Sequence, residues 1–300
     1  MGTVLRNISI CIFSLISISG CTTSVNSVDL PIQKKEISTF NTVISDVVRI
    51  NEKYGPANVL IVLDIDNTLL TSSVDIGGDI WYQWQRGNLE VKPSEAQKVK
   101  CLFEDSIGLL YELGTMNLTE EMLPTVLSDW QSAGNTLMAL TSRAPKYRAA
   151  TERELHNKGF DFNITALAPV GKKTPVYREM ADRELSYMNG IMMTSGMNKG
   201  EMLSYLLEKT NRNFAAIVFV DDSKKNIDNV YNKYVGRKDI DVKLYHYLKV
   251  ERDREAKYGS ILTEEKAEKM ASDWNNLNQT LNSIFPKRNH CCPVNLKEKA

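Results

Sequence analysis

The sequence predicts an α/β protein with a mainly parallel sheet flanked by helices. Short, continuously apolar runs rich in β-branched residues recur along the chain, as in "NVLIVLD" at 58–64 and "FAAIVFVDD" at 214–222. Such runs are typical of strands that are buried on both faces. Stretches with helical spacing of apolar residues alternate with them, which indicates parallel strands joined by helices. The 300-residue length and 42% apolar content allow a core of this size.

The predicted elements follow one another in a simple order. From about residue 38 to residue 54, apolar residues recur with helical spacing, and the pattern stops at Gly55 and Pro56. The first core strand, at 58–64, comes next. Further strands are predicted at 135–142, 214–222 and, from a weaker pattern, 242–248. Helices are predicted at 123–135, 144–160, 199–210 and 223–236. The predicted core therefore covers residues 38–250.

The chain between the first two core strands is far too long for a single crossover connection. It contains Gly-rich, aromatic and helical parts, among them "GGDIWYQWQ" at 77–85. We therefore expect an inserted flap and small helical cap at about 73–118, which we call the insertion. Residues 251–300 are expected to form one long amphipathic helix, from about 263 to 284, and a Lys-rich tail.

The N-terminus has the pattern of a signal peptide over residues 1–20. Arg6 is its only charge, and the apolar run that follows is too short to span a membrane in the usual way. The next residues, "ISGC" at 18–21, resemble the bacterial lipobox, whose cysteine receives a lipid after cleavage. The resemblance implies an exported lipoprotein, held at the outer membrane or periplasmic face by a lipid anchor on Cys21, with residues 21–37 as a tether. An uncleaved anchor and a chance cysteine are the alternatives.

Charge and cysteine content exclude some classes of site. The 37 basic and 37 acidic residues give a formal net charge of zero, which argues against a nucleic-acid-binding surface. The sequence contains neither a CxxC pair nor a His/Cys cluster, the two patterns that would indicate a zinc site. An exported chain allows a disulfide between Cys101 and either Cys291 or Cys292, and spacing does not choose between them.

Polar side chains stand where the predicted strands end, and ligands bind at the carboxyl edge of a parallel sheet. These residues are Asp64, Asp66, Thr141, Ser142, Arg143, Asp221 and Asp222. Lys199 stands before the helix that leads into the third core strand, with Lys172 and Lys173 as competing candidates for the same role.

The order of these residues resembles that of the haloacid dehalogenase (HAD) superfamily. The matching stretches are "DIDNT" at 64–68, "ALTSR" at 139–143, Lys199 with Gly200, and "FVDDSKKN" at 219–226. The resemblance covers about residues 57–250 and implies a HAD-like Rossmannoid sheet with an inserted cap. "DIDNTLLTSS" and the aromatic insertion look like an uncharacterised, exported, phosphatase-like bacterial branch, similar to DUF2608-type proteins.

The resemblance implies phosphoryl transfer assisted by Mg²⁺. Asp64 would be the nucleophile, and Asp66 would protonate the leaving alcohol and then activate water. Thr141 and Lys199 would contact the phosphoryl group and offset its charge. The metal would be held by Asp64, the backbone carbonyl of Asp66, and the pair Asp221 and Asp222, with Asp222 as the expected direct ligand. Superfamily dehalogenases generally lack an acid at the position of Asp66, so its presence favours a phosphatase.

Three residues are candidates for contact with a small phosphorylated substrate: Ser142, Arg143 and Trp81. A salt bridge to the core is an alternative role for Arg143, and packing of the insertion is an alternative for Trp81 and its aromatic neighbours. The expected function is hydrolysis of phosphomonoesters through an aspartyl phosphate. The alternatives are an exported binding lipoprotein with little or no catalysis, and a phosphotransferase.

Overall fold

The computed structural model describes residues 32–288, which form helices and strands in alternation through most of their length. The strands are β1 (Gln33–Ile37), β2 (Val59–Leu63), β3 (Leu70–Ser72), β4 (Met116–Leu118), β5 (Thr136–Thr141), β6 (Tyr177–Met180), β7 (Glu184–Met188), β8 (Ile191–Met193), β9 (Ala216–Asp221) and β10 (Asp241–Tyr247). The helices are α1 (Asn41–Tyr54), α2 (Asp79–Gln85), α3 (Ile107–Leu113), α4 (Leu123–Ala133), α5 (Arg148–Asn157), α6 (Lys199–Thr210), α7 (Lys224–Tyr234), α8 (Lys249–Tyr258) and α9 (Glu264–Ile284).

The main sheet has eight strands in the order β1-β10-β9-β2-β5-β8-β7-β6. The six strands from β1 to β8 in that order are parallel to their neighbours, and β7 and β6 add an antiparallel edge. Helices cover both faces. The prediction of an α/β protein with a mainly parallel sheet is therefore confirmed.

Strand β2 shows why the core runs are continuously apolar. Its five residues are all fully buried. Leu60 and Val62 pack into the core on one face of the sheet, whereas Ile61 and Leu63 pack into the core on the other. Because successive side chains of a strand point to opposite faces, a strand with helices on both sides has no polar face.

The tether predicted at 21–37 is wrong for its last residues, because Gln33–Ile37 form the edge strand β1. This strand pairs in parallel with β10 from Gln33 opposite Lys243 to Ile37 opposite Tyr247. Only Ile37 of the strand is buried. An edge strand needs backbone partners on one side only and can be polar on its exposed face, so apolar patterning does not reveal it. Strands β6, β7 and β8, also without a long apolar run, were likewise not predicted.

The insertion begins after β3 and ends with β4, and these two short strands pair antiparallel to each other. Between them lie the helices α2 and α3, and a π-helical turn at Leu102–Ser106 leads directly into α3. Cys101, at the start of that turn, is disulfide-bonded. The choice between Cys291 and Cys292 falls outside the described residues, as do the signal peptide and Cys21.

Helix α9 packs on the insertion, so the C-terminal part of the chain joins the fold. The rings of Trp81 and Trp274 lie 6.1 Å apart, and both side chains are buried. Asp75 of the insertion accepts hydrogen bonds from Arg254 at 2.6 Å and from Lys266 at 3.2 Å. The predicted amphipathic helix is confirmed, and its apolar face holds the insertion against the core. Within residues 32–288, no helix combines the length and apolar character needed to cross a membrane.

We expect Trp274→Ala to lower the free energy of unfolding by about 3–5 kcal/mol, as is usual when a large buried aromatic side chain is removed. Chemical denaturation monitored by far-UV circular dichroism measures this change. The neighbouring Asn275 is exposed, so Asn275→Ala is the matched control and should have almost no effect. Equal stability of the two variants would show that α9 does not hold the insertion.

Candidate active site

Lys199 lies at the centre of the predicted site and joins two of its carboxylates. Its Nζ donates to Oδ1 of Asp64 at 2.5 Å and to Oδ2 of Asp221 at 2.7 Å. The lysine side chain has no exposed surface, and Asp64 and Asp221 are also buried. A buried ammonium ion is tolerated only when it is paired, so these three residues depend on one another. Lys199 therefore occupies the predicted place, whereas Lys172 and Lys173 are exposed.

The backbone explains how residues so far apart in sequence meet. Asp64 directly follows β2 and Asp221 ends β9, and these strands are parallel neighbours, so their carboxyl ends lie side by side. Lys199 is the first residue of α6, whose N-terminus is capped by the side chain of Asn198. A Cβ atom on Gly200 would lie only 2.4 Å from the carbonyl oxygen of Asn229 in α7. Glycine at this position therefore lets α6 approach α7 closely enough to bring Lys199 to the strand ends.

Asp222 lies beside this pair, and its carboxylate is half-buried. Asp64, Asp221 and Asp222 each present an oxygen atom, and these atoms lie within 4.8 Å of one another. Asp221 is also oriented by Asn226, whose Nδ2 donates to its Oδ1 at 3.0 Å. Three carboxylates so close together are a donor set of hard oxygen ligands, which fits a divalent cation such as Mg²⁺.

The acidic cluster perturbs its own ionisation. Burial raises the pKa of Asp64 to about 7, and the charges of Asp221 and Asp66 add to this rise while Lys199 opposes it. Burial, followed by the charges of Asp79 and Asp64, also raises the pKa of Asp222 well above its usual range. Burial alone would lower the pKa of Lys199, but Asp221 and Asp64 raise it above its ordinary value. The site therefore carries more negative charge than its own lysine offsets.

Asp66 is held by Arg143, which corrects the expectation that Arg143 contacts substrate. The guanidinium donates to both oxygens of Asp66, from Nε at 2.8 Å and from Nη2 at 2.7 Å. Its Nη1 donates to Thr151 at 2.9 Å, and the ring of Tyr111 lies 4.2 Å from Cζ. Because Arg143 is buried and both Nε and Nη2 donate to the carboxylate of Asp66, its guanidinium orients Asp66. The alternative role was a salt bridge to the core, and the salt bridge that forms is with Asp66 of the site.

The other predicted residues have different outcomes. Thr141 ends β5 next to β2, and its Oγ1 accepts a hydrogen bond from the backbone N–H of Arg143 at 3.1 Å. Thr141 is itself almost fully buried, and its contact with a phosphoryl group stays a prediction. Ser142 is exposed, and its contact with substrate stays a prediction. Trp81 was wrongly assigned to substrate, because it has no exposed surface and packs against Trp274.

Asp79 is a site residue that the sequence patterns did not identify. It is the first residue of α2 in the insertion, and its carboxylate accepts hydrogen bonds from Asn67 and Gln83, each at 3.1 Å. Burial and then the charge of Asp66 raise the pKa of Asp79 to about 6. It lies in an insertion rather than at a strand end, so the strand-end rule could not find it. The Gly-Gly pair before it was the available signal.

Two glycines bring this part of the insertion close to Asp66. A Cβ atom on Gly77 would lie 2.6 Å from Cβ of Leu110, and one on Gly78 would lie 2.6 Å from Cβ of Ser72. The loop that leads to Asp79 can therefore pack between α3 and β3 only because these two positions have no side chain. A small cavity between these elements reaches Asp66 and is also lined by Gly77 and Gly78.

Comparison with known proteins identifies relatives of this chain. The family described as "Protein of unknown function (DUF2608)" matches residues 36–286. A Chlamydia pneumoniae protein described as "Putative outer membrane protein" is 23% identical over 192 residues, which make up 64% of this chain and 68% of that protein. The matched range includes every strand of the main sheet except the first residues of β1. It also includes all the carboxylates of the site.

We expect Lys199→Met to lower the free energy of unfolding by about 3–5 kcal/mol at neutral pH, because it leaves two buried carboxylates without their cation. The loss should shrink as the pH falls below 7 towards 4, since burial raises the pKa of Asp64 to about 7 and its protonation removes one of the two charges left behind. Denaturation in EDTA across that pH range measures both effects. The exposed Lys173 offers the control Lys173→Met, which should match the wild type. A Lys199→Met protein as stable as this control would show that the buried pairs do not hold the site.

Proposed function

The chain belongs to the DUF2608 family of proteins of unknown function, and we propose that it is a phosphatase with a HAD-like core that hydrolyses phosphomonoesters through phosphorylated Asp64. The observation that supports this most strongly is the bridge from Lys199 to Asp64 and Asp221, with the carboxylate of Asp222 close by. A buried lysine between two acids gains little stability over apolar residues of similar volume, because desolvation offsets most of the attraction, although removing one partner alone is costly. It serves well a site where negative charge must be held next to a nucleophile.

The cation fits the chain's own ligands. Asp64, Asp221 and Asp222, with the backbone carbonyl of Asp66, would hold Mg²⁺, which when bound supplies positive charge that reduces repulsion between the phosphoryl oxygens and Asp64. Lys199 donates to Oδ1 of Asp64. That contact leaves Oδ2 as the oxygen that attacks phosphorus.

In the first step, Oδ2 of Asp64 forms a bond to phosphorus while the bond from phosphorus to the ester oxygen breaks. Asp66 gives its proton to the departing ester oxygen, so that an alcohol leaves rather than an alkoxide. Each oxygen of Asp66 accepts one hydrogen bond from Arg143 and keeps a second lone pair to carry this proton. Arg143 thus fixes the direction of the acid without blocking it.

In the second step, Asp66, now deprotonated, takes a proton from a water molecule while the oxygen of that water molecule bonds to phosphorus. The bond from phosphorus to Oδ2 of Asp64 breaks, which releases inorganic phosphate and restores both carboxyl groups. Thr141 donates its hydroxyl hydrogen to a phosphoryl oxygen, and Lys199 offsets charge on Asp64 and on the phosphoryl group throughout. Positioning and charge therefore account for the chemistry assigned to this site.

The prediction for activity concerns Asp64, Asp66 and Mg²⁺. With p-nitrophenyl phosphate, Mg²⁺ should sustain turnover that EDTA abolishes, and Asp64→Asn should reduce kcat by about 10³-fold or more because the nucleophile is lost. Asp66→Asn should lower kcat more for esters of poor leaving groups than for p-nitrophenyl phosphate, whose leaving group needs no proton. The control is Asp228→Asn, a change at a partly exposed acid on α7 that pairs with Lys224, which should retain activity.

The outcome of this assay also separates the alternatives. Turnover that rises when an acceptor alcohol is added would identify a phosphotransferase. Wild-type protein that shows no more turnover than Asp64→Asn across a panel of phosphomonoesters, but melts at a higher temperature with one of them, would identify a binding protein and contradict the proposal.

We further propose that the protein is an exported lipoprotein. The lipobox-like "ISGC" that ends at Cys21 supports this, as does the description of the Chlamydia pneumoniae relative as an outer membrane protein. Expressed in a bacterium fed with labelled palmitate, the full chain should become labelled, and Cys21→Ala should abolish the label. Cys11→Ala, within the signal peptide, should leave it unchanged. Equal labelling of the two variants would contradict the anchor.

A further inference from the structure

Asp79 differs from the other acids of the site in the partners of its carboxylate. Asn67 and Gln83, both neutral amides, donate one hydrogen bond to each of its oxygens. Within residues 32–288, no lysine or arginine forms an ion pair with it, and none of the charges that shift its pKa is a cation. By contrast, Lys199 pairs with Asp64 and Asp221. Among the described residues, the carboxylate of Asp79 is thus held by neutral amides and has no positive partner.

The same contrast holds between Asp79 and Asp66. Arg143 donates to both oxygens of Asp66 and balances its charge. Asn67, the residue after Asp66, donates to Oδ2 of Asp79 at 3.1 Å, and the cavity that reaches Asp66 is also lined by Gly77 and Gly78, just before Asp79. Asp79 therefore lies near the general acid. In agreement with this geometry, burial and then the charge of Asp66 raise the pKa of Asp79, and burial and then the charge of Asp79 raise the pKa of Asp222.

A metal ion in the acidic cluster does not account for Asp79. The three carboxylates with mutually close oxygens are those of Asp64, Asp221 and Asp222, and Asp79 does not belong to that group. Its plane is also fixed by the two amide donors, one on each oxygen, which orients the carboxylate before any ligand arrives. An oriented carboxylate without a cation is suited to a positive group that comes with the substrate.

The position of Asp79 specifies which part of the substrate it can reach. Asp66 protonates the oxygen of the leaving alcohol, so that alcohol must lie against Asp66 and, with it, near Asp79. Building on the phosphatase function proposed above, we propose that Asp79 is a specificity residue that binds an ammonium group carried by the leaving alcohol of the substrate. The substrate class is then a phosphomonoester of a small amino alcohol. Esters with a carboxylate at the same place are repelled.

The test compares two esters of equal shape in two proteins. In 2-aminoethyl phosphate and propyl phosphate, an ammonium and a methyl group occupy the same place. We expect the ratio of kcat/KM for the amino ester to that for the propyl ester to fall about tenfold in Asp79→Asn, as expected when a close charge pair is lost. Because this ratio is compared between the wild type and Asp79→Asn, the different leaving ability of the two alcohols cancels. Glu90→Gln, at an exposed acid of the insertion, should leave the ratio unchanged.

A binding measurement covers the case in which Asp79→Asn does not fold. In the wild type, 2-aminoethylphosphonate should inhibit p-nitrophenyl phosphate hydrolysis about tenfold more strongly than propylphosphonate, because only the former presents a charge to Asp79. Phosphonates are not hydrolysed, so leaving ability plays no part.

Two results would overturn the inference, and they differ in what else they overturn. Hydrolysis of both esters with a ratio that Asp79→Asn does not change, or equal inhibition by the two phosphonates, would exclude the ammonium site and leave the phosphatase intact. No hydrolysis of any phosphomonoester by the wild type would remove the phosphatase function and this inference together.

Discussion

The fold depends on a charge that has no access to water. Lys199 is fully buried and donates to Asp64 and Asp221, so three elements that are distant in sequence must come together for any one of these residues to be tolerated. The parallel register of β2 and β9 brings the two acids together, and Gly200 allows α6 to approach with the lysine. The apolar cores on both faces of the sheet stabilise the strands. The ion pairs of Lys199 with Asp64 and Asp221 determine how the carboxyl ends of β2 and β9 lie relative to α6.

The insertion is joined to this centre at one end and to the C-terminal helices at the other. Asn67, next to Asp66 in the chain, donates to Asp79, and Tyr111 covers the guanidinium that holds Asp66. On the far side, Trp81 packs against Trp274 of α9. The insertion is thus packed from two directions. An element held in this way keeps its polar groups, such as the carboxylate of Asp79, in a fixed orientation.

Local patterns in the sequence were sufficient to predict the buried parallel strands and the polar residues at their ends that the structure brings together. The continuous apolar run of β2 and the acids that follow it are local signals, and so is the amphipathic pattern of α9. Other features depend on contacts that a local pattern does not contain. β1 is polar because it is an edge strand. Trp81 looked like a substrate contact because its partner Trp274 is distant in sequence. Asp79 was not found because it lies in the insertion and not at the end of a strand.

The central claim is that the carboxylate of Asp64 takes up the phosphoryl group, and it can be tested directly by trapping that group. Asp66→Asn, mixed with p-nitrophenyl phosphate and Mg²⁺, should accumulate phosphorylated enzyme, because the good leaving group needs no proton while the base for hydrolysis is missing. Quenching in acid and reduction with borohydride would convert an aspartyl phosphate to homoserine. Mass spectrometry of the peptide that contains residue 64 should then find homoserine in place of Asp64. Phosphate on another residue, or an unmodified Asp64 in enzyme that turns over, would contradict the account.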